Sequence, residues 1–221
     1  MKAVKKILPI VIGALVIAAY VFFILTCVSS VLKGKLLVVS VLIALMSLIN
    51  GIKALKVFFS ELLNADVTNY SAQKACIKLV KRVAGIFVVA SFASALSMVS
   101  EIAKIIADHD SSWVSDIQKS WLVRNTIAFI CPIVGSIVAA IGVGKKADDA
   151  PVRTSPAVAG LVIIFASKFL MVNTALSSLG AWLITVAAIA TIVSIFLKPI
   201  KEEAKEEVVE EVAATEETKA E

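Results

Sequence analysis

This chain is poor in the groups that do chemistry. It has one histidine, three cysteines and nine glycines in 221 residues, and no carboxylate lies deep inside any of its apolar runs. The zinc-protease pattern H-E-x-x-H, a Gly-rich phosphate loop and a nucleophile elbow are all missing. The lone histidine, His109, falls in a polar stretch, so acid–base catalysis within the apolar runs lacks its parts. No enzymatic activity and no cofactor are expected. Cys27, Cys76 and Cys131 include no C-x-x-C spacing and two of them fall inside apolar runs, which favours buried small hydrophobes over a disulfide or a zinc site.

Charge is also scarce, at 18% of residues, while 59% are hydrophobic and the mean hydropathy is +0.95. Soluble domains are roughly 45–50% apolar, and a soluble fold of this length could not hide the excess. Apolar runs of membrane-crossing length recur instead. The expected fold is all-α, a polytopic transmembrane helix bundle with six spans at about 8–30, 36–57, 82–101, 123–144, 157–177 and 181–198. The last two share one apolar stretch of 41 residues, Ala157 to Leu197. As a single helix it would be ~60 Å long, twice the hydrocarbon thickness. It must fold back, and "TALSSLG", ending in Gly180, holds the only turn chemistry. The first span could be taken for a signal peptide, but its run exceeds the roughly 7–15 residues of an h-region and lacks a cleavage site.

Lysine and arginine set the expected direction. With the N-terminus inside, inner segments hold sixteen of them and outer segments five, with Lys168 left within a span. Both termini are therefore expected in the cytoplasm. The basic balance fits anionic lipid at the inner loops and not nucleic acid, because the cations flank apolar runs without interleaved aromatics. Short connections suggest a multi-pass protein of a prokaryotic plasma membrane.

Between spans two and three, "IKALKVFFSELLNAD" puts Ile52, Leu55, Phe58, Phe59 and Leu62 on one helical face. Ser71 is the expected N-cap of the next helix, where Cys76, Leu79, Val80 and Val83 recur at helical spacing. Two helices overrunning the bilayer would explain this, as would a docking site for a cytoplasmic partner or anionic lipid. On the outer side Trp113, Ile117 and Trp121 share a face, and the two tryptophans read as interfacial anchors. Asp108, His109 and Asp110 are consecutive, point about 100° apart on a helix, and read as a polar loop with no metal role.

Small residues four apart, among them Ala90–Ser94, Gly135–Ala139 and Ala187–Thr191, predict close helix packing or a homo-oligomer interface. From Lys198 onward four Lys against nine Glu leave a net −5, so the preceding chain carries +10. Residues 199–221 hold no aromatics and are expected to be a disordered acidic cytoplasmic tail.

One ammonium group breaks the apolar pattern. Lys168 lies eleven residues beyond Ala157, ~17 Å into a ~30 Å core. Placing a charge there costs roughly 2.5–3.5 kcal/mol on insertion scales. It is expected to be a buried polar clamp directed outward, toward Glu101, Asn173 or the Ala128 carbonyl released by Pro132. The expected role is that of a structural, accessory or interaction protein of the membrane, with a membrane or cytoplasmic protein as partner. The competing role is a small-solute or ion transporter or channel built around Lys168.

Overall fold

A computed structural model describes residues 2–32, 37–64, 69–109, 114–144, 150–170 and 179–197, and among them it is all helical. The helices are α1 (Lys2–Leu32), α2 (Leu37–Val57), α3 (Ser71–Lys81), α4 (Ala84–Asp108), α5 (Asp116–Val143), α6 (Thr154–Leu170) and α7 (Leu179–Phe196). Helix is the expected outcome, since apolar surroundings leave each backbone N–H and C=O to find a partner within its own segment. The outward faces agree: Val21, Leu45, Phe92, Ile137, Val162 and Ile189 are all exposed on different helices. Such a girdle of large apolar groups is compatible with lipid and not with water.

Among the described residues five segments are long and apolar enough to cross a membrane: Ala3–Ser29, Ser40–Leu62, Ser71–Asp108, Asp116–Val143 and Leu179–Phe196. Residues 171–177 of the fifth expected span lie outside the described residues; its described helix, α6, covers 17 residues and packs chiefly along α5. The third expected span, 82–101, lies within the 38-residue segment Ser71–Asp108 formed by α3 and α4. The turn expected around 174–178, Trp113 and the tail 199–221 lie outside the described residues. Gly180 does not serve as a turn residue. It sits inside α7, where an added Cβ would stand 2.9 Å from the Ala19 carbonyl oxygen of α1.

Two local readings are corrected by the packing. The apolar face expected at the end of α2 is divided: Leu62 is buried, while Ile52, Leu55 and Phe59 are exposed. The cause is a π turn over Phe58–Leu62, closed by Leu63 N–H donating to the Phe58 carbonyl at 3.0 Å. One wider turn shifts the helical register, so a 3.6-residue period cannot carry across it. Phe58 and Leu62 pack over Gly13 of α1, where a Cβ would meet Leu62 at 2.8 Å. Ser71 is not the N-cap of α3 either. It is the first helical residue, and its N–H donates to Asn69 Oδ1 at 2.9 Å.

α3 is the least expected element. Ala72 through Ile77, Leu79 and Val80 are all buried, and the helix touches α1, α2, α5, α6 and α7. Of this connection, α3 lies at the packed centre of one end of the bundle, as the reading of two helices packing together expects. Gln73 explains why a polar residue belongs there. Its side-chain amide donates to the Ser194 carbonyl at 2.8 Å and to the Leu197 carbonyl, closing the C-terminal end of α7, where the Ser194 carbonyl otherwise accepts only the Leu197 N–H at 3.2 Å.

The tightest contact joins α5 and α6. The buried side of α5 is the stripe Asn125, Ala128, Pro132, Gly135, Ala139 and Gly142, spaced three and four apart. Gly135 approaches Gly160 so closely that an added Cβ would stand 2.7 Å from the Gly160 carbonyl oxygen. Gly142 meets the backbone of Ala157, and Gly160 meets that of Ala139. This is small-residue packing of the kind that lets helix backbones touch.

Candidate functional site

Lys168 lies near the last described residues of α6 (Thr154–Leu170). Its partners are all on α7. The ammonium donates to the Ala181 carbonyl at 3.3 Å and to Thr185 Oγ1 at 3.2 Å. Thr185 in turn donates its hydroxyl to the same Ala181 carbonyl at 2.7 Å. The Trp182 ring lies over the ammonium with its centroid 4.2 Å away, and Phe169 is more distant at 5.9 Å. A carbonyl, a hydroxyl and an aromatic face thus share the charge, and contact with an indole face is worth about 0.5–2 kcal/mol depending on solvation.

The partner expected at Glu101 is a different one. Glu101 Oε1 accepts from Gln118 Nε2 at 3.1 Å, which links α4 to the start of α5. Gln118 is held by a capping box: Ser115 Oγ accepts from the Gln118 N–H at 3.3 Å, and Gln118 Oε1 accepts from the Ser115 N–H at 3.1 Å. That box was legible as S-D-I-Q ahead of an apolar run. Pro132 belongs to the buried stripe of α5, and Asn173 lies outside the described residues. Trp121 is partly exposed, as an anchor would be.

A second cation secures the same end of α6. Arg124 of α5 donates to the Phe169 carbonyl at 3.4 Å, so the terminus of α6 is tied to α5 on one side and to α7 on the other. The α7 half of this site was within reach of sequence. In an antiparallel helix pair, residues equidistant from the turn come level with each other. Antiparallel packing of α6 on α7 brings Lys168 near 181–185, which holds both Trp182 and Thr185.

The class defined so far is an all-helical bundle with five helices of membrane-crossing length and an intrahelical lysine tied to its neighbour. No protein-family model matches this chain, no curated protein is similar to it, and no solved structure matches it.

The geometry predicts how the site responds to substitution. Lys168→Met should lower the melting temperature in detergent, by the equivalent of about 1–2 kcal/mol for a charged hydrogen bond plus a ring contact. Thr185→Val should lose a share of the same energy, with the double variant falling short of the sum. Glu101→Gln should leave the Lys168 contribution untouched. Full additivity of Lys168→Met and Thr185→Val would separate the two residues and refute the arrangement.

Proposed function

We propose that this protein is a multi-pass component of a prokaryotic plasma membrane with a structural, accessory or interaction role and no catalytic one. Its six apolar segments cross the bilayer, and both termini face the cytoplasm. The observation that carries this reading is the state of Lys168: its ammonium is occupied by α7 of the same chain, which supports a clamp between helices more than a port for a solute. Anionic lipid at the lysines of the inner ends is the accompanying partner. A membrane or cytoplasmic protein, or a second copy of this chain, would meet the remaining surface.

Reconstitution tests it. Proteoliposomes holding the wild type should release trapped small anions and cations no faster than empty vesicles, and Lys168→Leu should not alter that. Release that depends on Lys168 would replace this reading with a transporter or channel.

Direction needs engineered cysteines, because Cys76 is fully buried and Cys27 nearly so; neither serves as a native reporter. In a cysteine-free background, Asn64→Cys lies at the exposed end of α2 and Asp108→Cys at the exposed end of α4. With both termini inside, a membrane-impermeant maleimide should label Asp108→Cys in intact cells and Asn64→Cys only after lysis. The reverse pattern would invert the orientation.

A further inference from the structure

The chain leaves α7 among three helices. Gln73 of α3 holds the Ser194 and Leu197 carbonyls, and α1 and α6 also pack along α7. α3 touches the Phe58–Leu62 turn, whose side chains lie over Gly13, so α7 ends beside the N-terminal half of α1. Its other end meets α1 farther on, where Gly180 lies against the Ala19 carbonyl. The two helices are therefore antiparallel, and Lys5, fourteen residues before Ala19, comes level with Ser194, fourteen beyond Gly180. The same count along α6 starts from Lys168, which meets Ala181 and Thr185. Arg153, fifteen residues before it, comes level with 196–200. Lys74 follows Gln73 directly. Each helix around the end of α7 thus contributes a cation at the depth where the chain departs.

Positive charge accumulates at this end. Residues 1–8, 71–82 and 145–153, which carry these cations, hold ten Lys or Arg against two Asp, +8 in all. Glu61, on the neighbouring turn, is already bonded to Lys78 at 3.3 Å. Lys6 and Arg153 are exposed, while Lys5 and Lys74 lie deeper. Like charges gathered at one end attract a polyanion. The chain from Lys198 onward has the opposite sign, −5, and its acids come in pairs four residues apart: Glu202–Glu203, Glu206–Glu207 and Glu210–Glu211. On a helix that spacing would gather them on one face, with Val208, Val209 and Val212 opposite. Pro199 lacks the N–H that would extend the hydrogen-bond ladder of α7. Glu202 is five residues beyond Leu197, a reach of up to ~17 Å, and axes of packed helices stand about 8–10 Å apart. The first acids can therefore reach all three cations.

We propose that the acidic segment Glu202–Glu211 docks on the cationic end of the bundle formed by Lys5, Lys6, Lys74 and Arg153, and competes there with anionic lipid headgroups. The chain's own segment is the occupant because it joins opposite charge to a short tether, which presents it at an effective concentration on the order of millimolar. Lipid headgroups gain these cations only where the segment lifts away. The competition rests on the reading that anionic lipid meets this end of the bundle; the docking does not.

Docking is tested without lipid, on the full chain in neutral detergent. A cysteine-free protein carrying Ser155→Cys, exposed at the start of α6, and Val212→Cys is spin-labelled at both. At low salt the pair should give one narrow distance. In about 1 M salt, where charges are screened beyond about 3 Å, it should spread over the ~20 Å of a free segment. Replacing Glu202, Glu203, Glu206, Glu207, Glu210 and Glu211 by Gln should give the same spread at low salt, and Lys53→Gln, on the exposed side of α2, should not. A distribution that salt and the neutral segment leave unchanged overturns docking, and the cationic end then belongs to lipid or to another protein. Competition is read from thermal melts in mixed micelles as phosphatidylglycerol replaces phosphatidylcholine. The neutral-segment protein should reach half of its stabilisation at about 5-fold less phosphatidylglycerol than the wild type, the gain of one freed cation. Equal midpoints overturn the competition even with the segment docked. If neither protein responds, the lipid reading fails together with the competition, and the spin-label distances still decide docking.

Discussion

Adding one methyl group at Gly160 should unfold more of this protein than removing a large side chain from its outer surface. The alanine Cβ would run into the backbone of Ala139 and stand 2.6 Å from the Gly135 carbonyl oxygen. Neither is the flexible end of a side chain, so α5 and α6 must move apart along their whole contact. Ordinary overpacking costs about 1–3 kcal/mol, and a collision with backbone belongs at or above the upper end of that range. Gly160→Ala is therefore expected to lower the melting temperature steeply in detergent, or to prevent recovery of a monodisperse protein. Gly51→Ala is the internal control, since its Cβ would meet Tyr20 at an ordinary 3.5 Å. Ile137→Ala, on the exposed side of α5, should change little. Equal melting of Gly160→Ala and Gly51→Ala would show that α5 and α6 do not cross this closely.

The second large effect is expected at Gln73. Its amide is the donor for two carbonyls at the end of α7, in a buried place where water cannot substitute freely. Gln73→Leu strands the Leu197 carbonyl, at about 1–3 kcal/mol, and leaves the Ser194 carbonyl with only the Leu197 N–H at 3.2 Å. Gln73→Glu keeps the size but offers oxygens to oxygens and buries a negative charge, so it should be the more damaging of the two. Amide hydrogen exchange is the sharper readout: protection should fall first in the last turns of α7, and less in α5 and α6. If the glutamate variant melts with the wild type, Gln73 does not close α7.

How far the site was legible follows from which residues acted locally. The oddity of Lys168 was visible because a single ammonium in an apolar run contradicts its neighbours along the chain. Its partner was misplaced because the lysine stem was expected to reach outward to Glu101, Asn173 or the Ala128 carbonyl, while the charge is met by a carbonyl, a hydroxyl and a ring of α7. Carbonyls belong to every residue and so leave no mark in a sequence.

The sequence by itself determined that this chain is helical and built for an apolar medium. Both follow from local terms, the apolar length of each run and the need of every backbone group for a partner in its own segment. The tertiary structure alone decided that α3 is buried on all sides, that a π turn divides the apolar face of α2, and that Gly160 is spared a side chain because a neighbouring backbone occupies its place. It also decided where Lys168 and Gln73 spend their hydrogen bonds. Each of these depends on which helix lies alongside, and lipid, unlike water, exerts little pull that tells one apolar face from another. That choice rests on close fit and on a few polar contacts between residues far apart in the chain.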